Sequence, residues 1–235
     1  MNYSKFTLCT YTGIQIIVIN LLLLLLLITS TTSKELLASI IYNSVVIYLL
    51  IFGLFIFFFR KMDITLNIPN AITNFRLIIN TFILVIVLNL MHFDISLLLI
   101  LCLISLLLDG LDGFISRLLN QNTKFGEVFD QEVDNFLILI LSLSLVYNYN
   151  YSLLILTLAF YRYIFLLLIS YNYISNRKLP KSFLRKSACV LIILSLLSCN
   201  YFNNNLVINL FYLSVILITY SFTKDIVWLY RRKNV

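Results

Sequence analysis

Charge is what this sequence has least of. Only 11% of its 235 residues are charged, as seventeen Lys and Arg against ten Asp and Glu, with a single His. With 61% of residues hydrophobic, too little polar surface remains to cover a water-soluble core, which excludes a soluble domain of this size. Two Pro and five Gly exclude a turn-rich chain and favour long uninterrupted helices. The four cysteines, Cys9, Cys102, Cys189 and Cys199, form no CxxC pair, and His92 offers them no partner at metal spacing. They read as reduced thiols, buried or inert. The polar–apolar alternation of an outer-membrane barrel is also missing.

What is present is a succession of apolar runs, each long enough at roughly 20 residues to cross a bilayer. Eight candidate spans are read at about 12–29, 36–59, 71–91, 95–119, 128–148, 152–174, 187–200 and 205–230, the seventh starting early enough to include Ser182 to Lys186. The first has the apolar centre of a secretory signal, but ITSTTSKE offers no small-x-small cleavage site, so a retained helix is expected. The expected fold class is all-α, a polytopic membrane helix bundle.

Basic residues sort the connections. Arg60 and Lys61, Arg117 and Lys124, the run from Arg177 to Lys186, and Arg231 to Lys233 fall on one side. The connections on the other side hold only Lys34. By the positive-inside rule this expects both termini in the cytoplasm. The net charge of +7 then needs no nucleic acid as partner, because basic cytoplasmic edges meet anionic lipid head groups.

Against that background one stretch stands apart. Six of the ten acids lie within LLLDGLDGFISRLLNQNTKFGEVFDQEVDNF: Asp109, Asp112, Glu127, Asp130, Glu132 and Asp134. Asp109, Asp112, Gly113 and Ser116 share one helical face, and Gly126, Asp130 and Asp134 share another. A short polar turn joins the two helices, so antiparallel packing would bring four carboxylates together near the cytoplasmic edge. An ionised Asp in a span costs roughly 3 kcal/mol even on the lenient insertion scale, and neighbouring carboxylates repel. Hard divalent ions with oxygen ligands are the natural counter-charge, and Mg2+ keeps positions open for phosphate oxygens. The small residues leave room for a ligand, and Arg117 has a donor fork suited to a diphosphate. The plainer reading is an interfacial belt of charge facing the basic loops.

These residues resemble the signature of the CDP-alcohol phosphatidyltransferase family, D-x2-D-G-x2-A-R-x8-G-x3-D-x3-D. It is met by Asp109, Asp112, Gly113, Ser116, Arg117, Gly126, Asp130 and Asp134 at every interval, with Ser116 in place of Ala. NIPNAITNFR, through Pro69, Asn70, Thr73 and Arg76, resembles the PNxxTxxR opening of the family's first core helix. Arg162 resembles an arginine on the fourth core helix. LPKSFLRKSACV resembles the basic loop of glycerophosphate-accepting members, S-x-L-G-K-x-K-T, at Ser182, Leu184 and Lys186, with Arg185, Ala188 and Cys189 departing from it. Those departures leave the acceptor open.

The resemblance, phosphatidylglycerophosphate synthase-like, implies a six-helix catalytic core at 63–235, preceded by an extension of about two transmembrane helices at 1–62. It implies transfer of a phosphatidyl group from CDP-diacylglycerol to an alcohol acceptor, with release of CMP. It assigns Asp109, Asp112 and Asp130 to Mg2+ or Mn2+, and Asp134 to catalysis as general base or as a further metal ligand. Asn70, Thr73, Gly113, Ser116, Arg117 and Gly126 fall to the CDP substrate, and Arg162, Lys181, Arg185 and Lys186 to the acceptor. Family members are often dimers, so a homodimer is allowed. The rivals are a CDP-choline or CDP-ethanolamine phosphotransferase acting on diacylglycerol, a divalent-cation transporter, and a catalytically silent relative.

Overall fold

The computed structural model describes residues 34–58, 67–88, 95–170, 183–202 and 204–231. These form seven α-helices: α1 (Lys34–Phe58), α2 (Ile68–Leu88), α3 (Ile95–Leu118), α4 (Lys124–Tyr149), α5 (Thr157–Ser170), α6 (Phe183–Tyr201) and α7 (Asn205–Arg231). A 3-10 turn, Leu153–Leu156, precedes α5. No strand occurs among the described residues, so the all-α expectation holds. The first expected span, 12–29, lies outside them, as do Lys181, Ser182 and most of the basic connections.

Local chemistry explains where helices begin and end. α2 starts at Ile68, three residues before the expected 71, because Pro69 sits in its first turn, where a missing N–H costs nothing. α3 closes with Asn120 at φ 51°. Gln121 N–H then reaches Ser116 O at 3.1 Å and Asn120 N–H reaches Arg117 O at 3.4 Å, a Schellman ending with Asn in the left-handed position. Only three residues later Thr123 caps α4, its Oγ1 accepting from Gly126 N–H at 3.0 Å. α4 therefore starts at Lys124 rather than 128, and the hairpin between the acidic helices is tighter than the sequence suggested.

The chain divides into two compact units, Met1–Asp134 and Asn135–Val235. In the first, α2 packs on both α1 and α3. It is the most enclosed of the apolar helices, with Leu77, Ile83, Val85, Ile86 and Val87 buried. Its polar positions are buried too. Asn74 pairs with Tyr48 of α1 at 3.1 Å. Asn80 accepts from Ser105 of α3 at 2.8 Å and donates to Val133 O of α4 at 3.3 Å. Tyr48 stacks on Phe52 within α1 and Phe125 on Phe129 within α4, and a tilted contact between Phe52 and Phe129 joins the two pairs.

In the second unit α6 and α7 pack through the hydroxyls of Ser195 and Ser214, 2.7 Å apart. Tyr161 of α5 meets Thr219 of α7 at 3.0 Å. Asn200 ties α6 to α4 through Leu141 O at 3.3 Å, while Tyr149 donates back to Asn200 O at 2.6 Å. Small hydroxyl residues at helix contacts let backbones approach where both flanks are apolar.

Among the described residues three helices, α2, α3 and α7, are long and apolar enough to cross a membrane. α3 and α7 keep much of their apolar surface outward, including Leu103, Leu107, Leu111, Leu206, Leu210 and Ile216. Such continuous faces are a liability in water and ordinary against lipid.

Asn80→Ala tests the polar seam of the first unit. It leaves the buried Ser105 hydroxyl without its acceptor, an expected cost of about 1–3 kcal/mol. A thermal midpoint unchanged from wild type in detergent would show that the seam contributes nothing.

Candidate active site

Helical spacing sets the acidic faces, and α2 supplies what lies between them. Asp109 and Asp112 project from α3, and Asp130 and Asp134 from the first turns of α4. All four converge on Arg76 of α2, whose side chain is wholly buried. Its Nη1 lies 2.8 Å from Asp109 Oδ1, 3.3 Å from Asp112 Oδ2 and 2.7 Å from Asp130 Oδ1. Its Nη2 donates to Asp134 Oδ1 at 2.5 Å. Asp112 is the buried member, and the Thr73 hydroxyl also donates to its Oδ2 at 2.9 Å. The other three carboxylates are half-buried.

Beside this cluster a polar cavity of about 150 Å3 opens among α2, α3, α4 and the hairpin. Asn70, Thr73, Gly113, Ser116, Arg117 and Gly126, the six residues assigned from sequence to the CDP substrate, all line it, together with Asp112 and Asp130. Gln121, Asn122 and Thr123 of the hairpin complete the wall, and Glu127 joins it although it stands outside the signature. Ser116 donates to Asn122 Oδ1. Gln121 Oε1 is buried without a hydrogen-bond partner, so the wall carries a free acceptor.

Gly126 is small for a local reason. A Cβ there would fall 3.1 Å from Thr123 Oγ1 and closer still to Asn70 Oδ1. Gly126→Val would therefore push Asn70 out of place and fill the cavity. Binding of a cytidine nucleotide, followed by calorimetry, is expected to weaken about five- to a hundredfold, by analogy with overpacking costs of about 1–3 kcal/mol. Unchanged binding would place the nucleotide elsewhere.

The donor set suits a divalent ion. Asp109, Asp112 and Asp130 can each offer one oxygen, all within 4.8 Å of one another. Three carboxylate oxygens at that spacing match a hard cation that completes its shell with water or phosphate. Asp134 is not in that set.

The family model for CDP-alcohol phosphatidyltransferases matches residues 66–223, well over half of the sequence. The chain belongs to the CDP-alcohol phosphatidyltransferase family. It is thus an enzyme, a transferase of phosphate-linked groups from CDP-alcohols, and with its apolar helices an integral membrane protein. Members of this family are generally dependent on divalent metal, in keeping with the Asp triad. No curated protein and no solved structure matches the chain significantly.

The match runs from just before α2 into α7, so the cluster and its cavity lie within it. The residues assigned to the acceptor belong to the second unit. Arg162 lies on α5 and Arg185 and Lys186 in the first turn of α6, but their side chains, like all of Lys181, fall outside the described residues.

The place of Arg76 among the carboxylates does not follow from its position at the end of PNxxTxxR. A signal was available. Asn70, Thr73, Arg76 and Asn80 follow at steps of three and four along α2, which makes one polar stripe on an otherwise apolar helix.

Proposed function

We propose that this phosphatidyltransferase moves the phosphatidyl group of CDP-diacylglycerol onto the hydroxyl of a phosphate-bearing alcohol of the glycerol 3-phosphate kind. The observation that carries the reading is the cavity itself. It joins a carboxylate pair, Asp112 and Asp130, to a wall of amide, hydroxyl and guanidinium groups. A diphosphate suits the acidic end once a cation is present, and a cytosine suits the wall. The unpartnered acceptor Gln121 Oε1 matches the exocyclic amine of that base, which brings two N–H donors.

A divalent cation held by Asp109, Asp112 and Asp130 would supply positive charge against the diphosphate and against the charge that develops on departing CMP. The rest falls to the chain's own groups. Arg117 lies at the cavity rim with its Nη1 beside Gly113, placed to hold a phosphate oxygen through its donor fork. Asp134 takes the proton of the acceptor hydroxyl. The acceptor oxygen forms a bond to the phosphorus that carries diacylglycerol. The bond from that phosphorus to the bridging oxygen breaks, and CMP leaves with its electron pair.

The acceptor's own phosphate is assigned to Arg162, Lys181, Arg185 and Lys186, on the strength of the basic run from Arg177 to Lys186. Basic connections on one side orient the site and both termini to the cytoplasm. Residues 1–62 are assigned to an extension and 63–235 to the catalytic core.

The deciding experiment supplies membranes containing the protein with CDP-diacylglycerol and a panel of alcohols, and identifies the lipid product by mass. A phosphatidyl product with glycerol 3-phosphate supports the full reading. A product with an uncharged alcohol alone would remove the role given to the basic run. Product from CDP-choline and diacylglycerol, and none from CDP-diacylglycerol, would reverse the direction of transfer.

A further inference from the structure

Neither the family relationship nor the proposed reaction gives Arg76 a task, although it is the side chain on which the site is built. It is no simple helix-to-helix bridge. One nitrogen, Nη1, contacts three carboxylates at 2.7 to 3.3 Å, while Nη2 contacts the fourth at 2.5 Å. The division matters, because Asp109, Asp112 and Asp130 on Nη1 are the same three residues able to offer oxygens to one ion. Asp134, on Nη2, stands outside that set.

Four carboxylates inside a membrane bundle need positive charge before any metal arrives, since an uncompensated buried charge costs several kcal/mol. Arg76 provides it from within the fold. Its Nε is buried without a partner, so the side chain is held at its two terminal nitrogens and nothing fixes the root of the guanidinium. A divalent ion drawing on the same three carboxylates would need ligand distances of about 2.0–2.6 Å, and would repel a cationic nitrogen lodged among them.

We propose that Arg76 is the resident counter-cation of the metal-free site. Nη1 and a divalent ion are alternative partners of Asp109, Asp112 and Asp130, while the Nη2 bond to Asp134 persists. Arg76 is on this account a positioning residue, setting both the affinity for metal and the orientation of Asp134. The inference rests on the reading that this site takes a divalent ion.

The test uses the full chain in lipid nanodiscs, stripped with EDTA, and follows Mn2+ binding through the paramagnetic signal of the free ion. Removing the competing charge in Arg76→Met is expected to tighten Mn2+ binding by about tenfold or more, with Arg76→Lys in between. The stripped Arg76→Met protein should melt earlier than wild type and recover further on Mn2+ addition. Should that variant fail to accumulate, wild-type protein carrying isotope-labelled arginine supplies a direct reading. Its guanidinium infrared bands should shift on Mg2+ addition, and the shift should vanish in Arg76→Lys. Equal or weaker Mn2+ binding in the variants, or a wild-type difference spectrum without an arginine band, overturns the exchange while leaving metal binding intact. Absence of Mn2+ binding in wild type and variants alike overturns the metal reading itself, and the exchange with it.

Discussion

Asp134→Asn is expected to reduce phosphatidyl transfer by about a thousandfold, within the range general acid–base groups contribute, while CDP-diacylglycerol still binds. The substitution keeps shape and keeps an oxygen to accept from Arg76 Nη2, which now reaches Asp134 Oδ1 at 2.5 Å. What it removes is the capacity to take a proton from the acceptor hydroxyl. Because Asp134 lies outside the triad able to ligate one ion, Mn2+ binding should survive in the variant. That pairing distinguishes the two roles left open by the sequence. Lost turnover with retained Mn2+ and nucleotide binding assigns Asp134 to proton transfer. Lost Mn2+ binding would make it a ligand, and turnover within tenfold of wild type would remove it from catalysis.

The helices were legible because apolar runs of about 20 residues, in so charge-poor a chain, fit little besides membrane-spanning helices. Their ends were less so, for reasons that lie in single residues. α4 starts four residues before its expected position because Thr123 caps it, and a capping threonine in a polar turn looks like any other turn residue. The acidic faces were legible from steps of three and four, since periodicity reports the face on which a residue sits. It does not report which helix that face meets. Arg76 lies 33 positions before Asp109, and no local pattern links them. Only the packing of α2 against α3 and α4 makes one guanidinium the common partner of four carboxylates. Gly126 carries a related lesson. Read as room for a ligand, it first makes room for Asn70, a contact between helices that spacing cannot show. The acceptor residues Arg162, Lys181, Arg185 and Lys186 rest on sequence resemblance and charge.

Chelation should silence the enzyme. In the protein four carboxylates face a single guanidinium, so with all four ionised the cluster carries three negative charges uncompensated. A CDP diphosphate approaching Asp112 and Asp130 through the adjoining cavity adds more negative charge at short range. At an effective dielectric of about 20, two like charges 4 Å apart repel by about 4 kcal/mol, and several such pairs act together here. Arg117 and Arg76 are too few to offset them, and Arg76 is already engaged. Transfer by EDTA-treated protein is therefore expected to fall by about a thousandfold or more, since a Lewis-acidic ion contributes several kcal/mol of charge stabilisation and each 1.36 kcal/mol is tenfold in rate. Mg2+ or Mn2+ should restore it in wild type. In Asp112→Ala neither ion should, because that variant loses the buried member of the triad together with the contacts to Thr73 and Arg76. Undiminished turnover in excess chelator would show that Arg76 and Arg117 suffice to hold the diphosphate, and the three carboxylates would then need a purpose other than binding a cation.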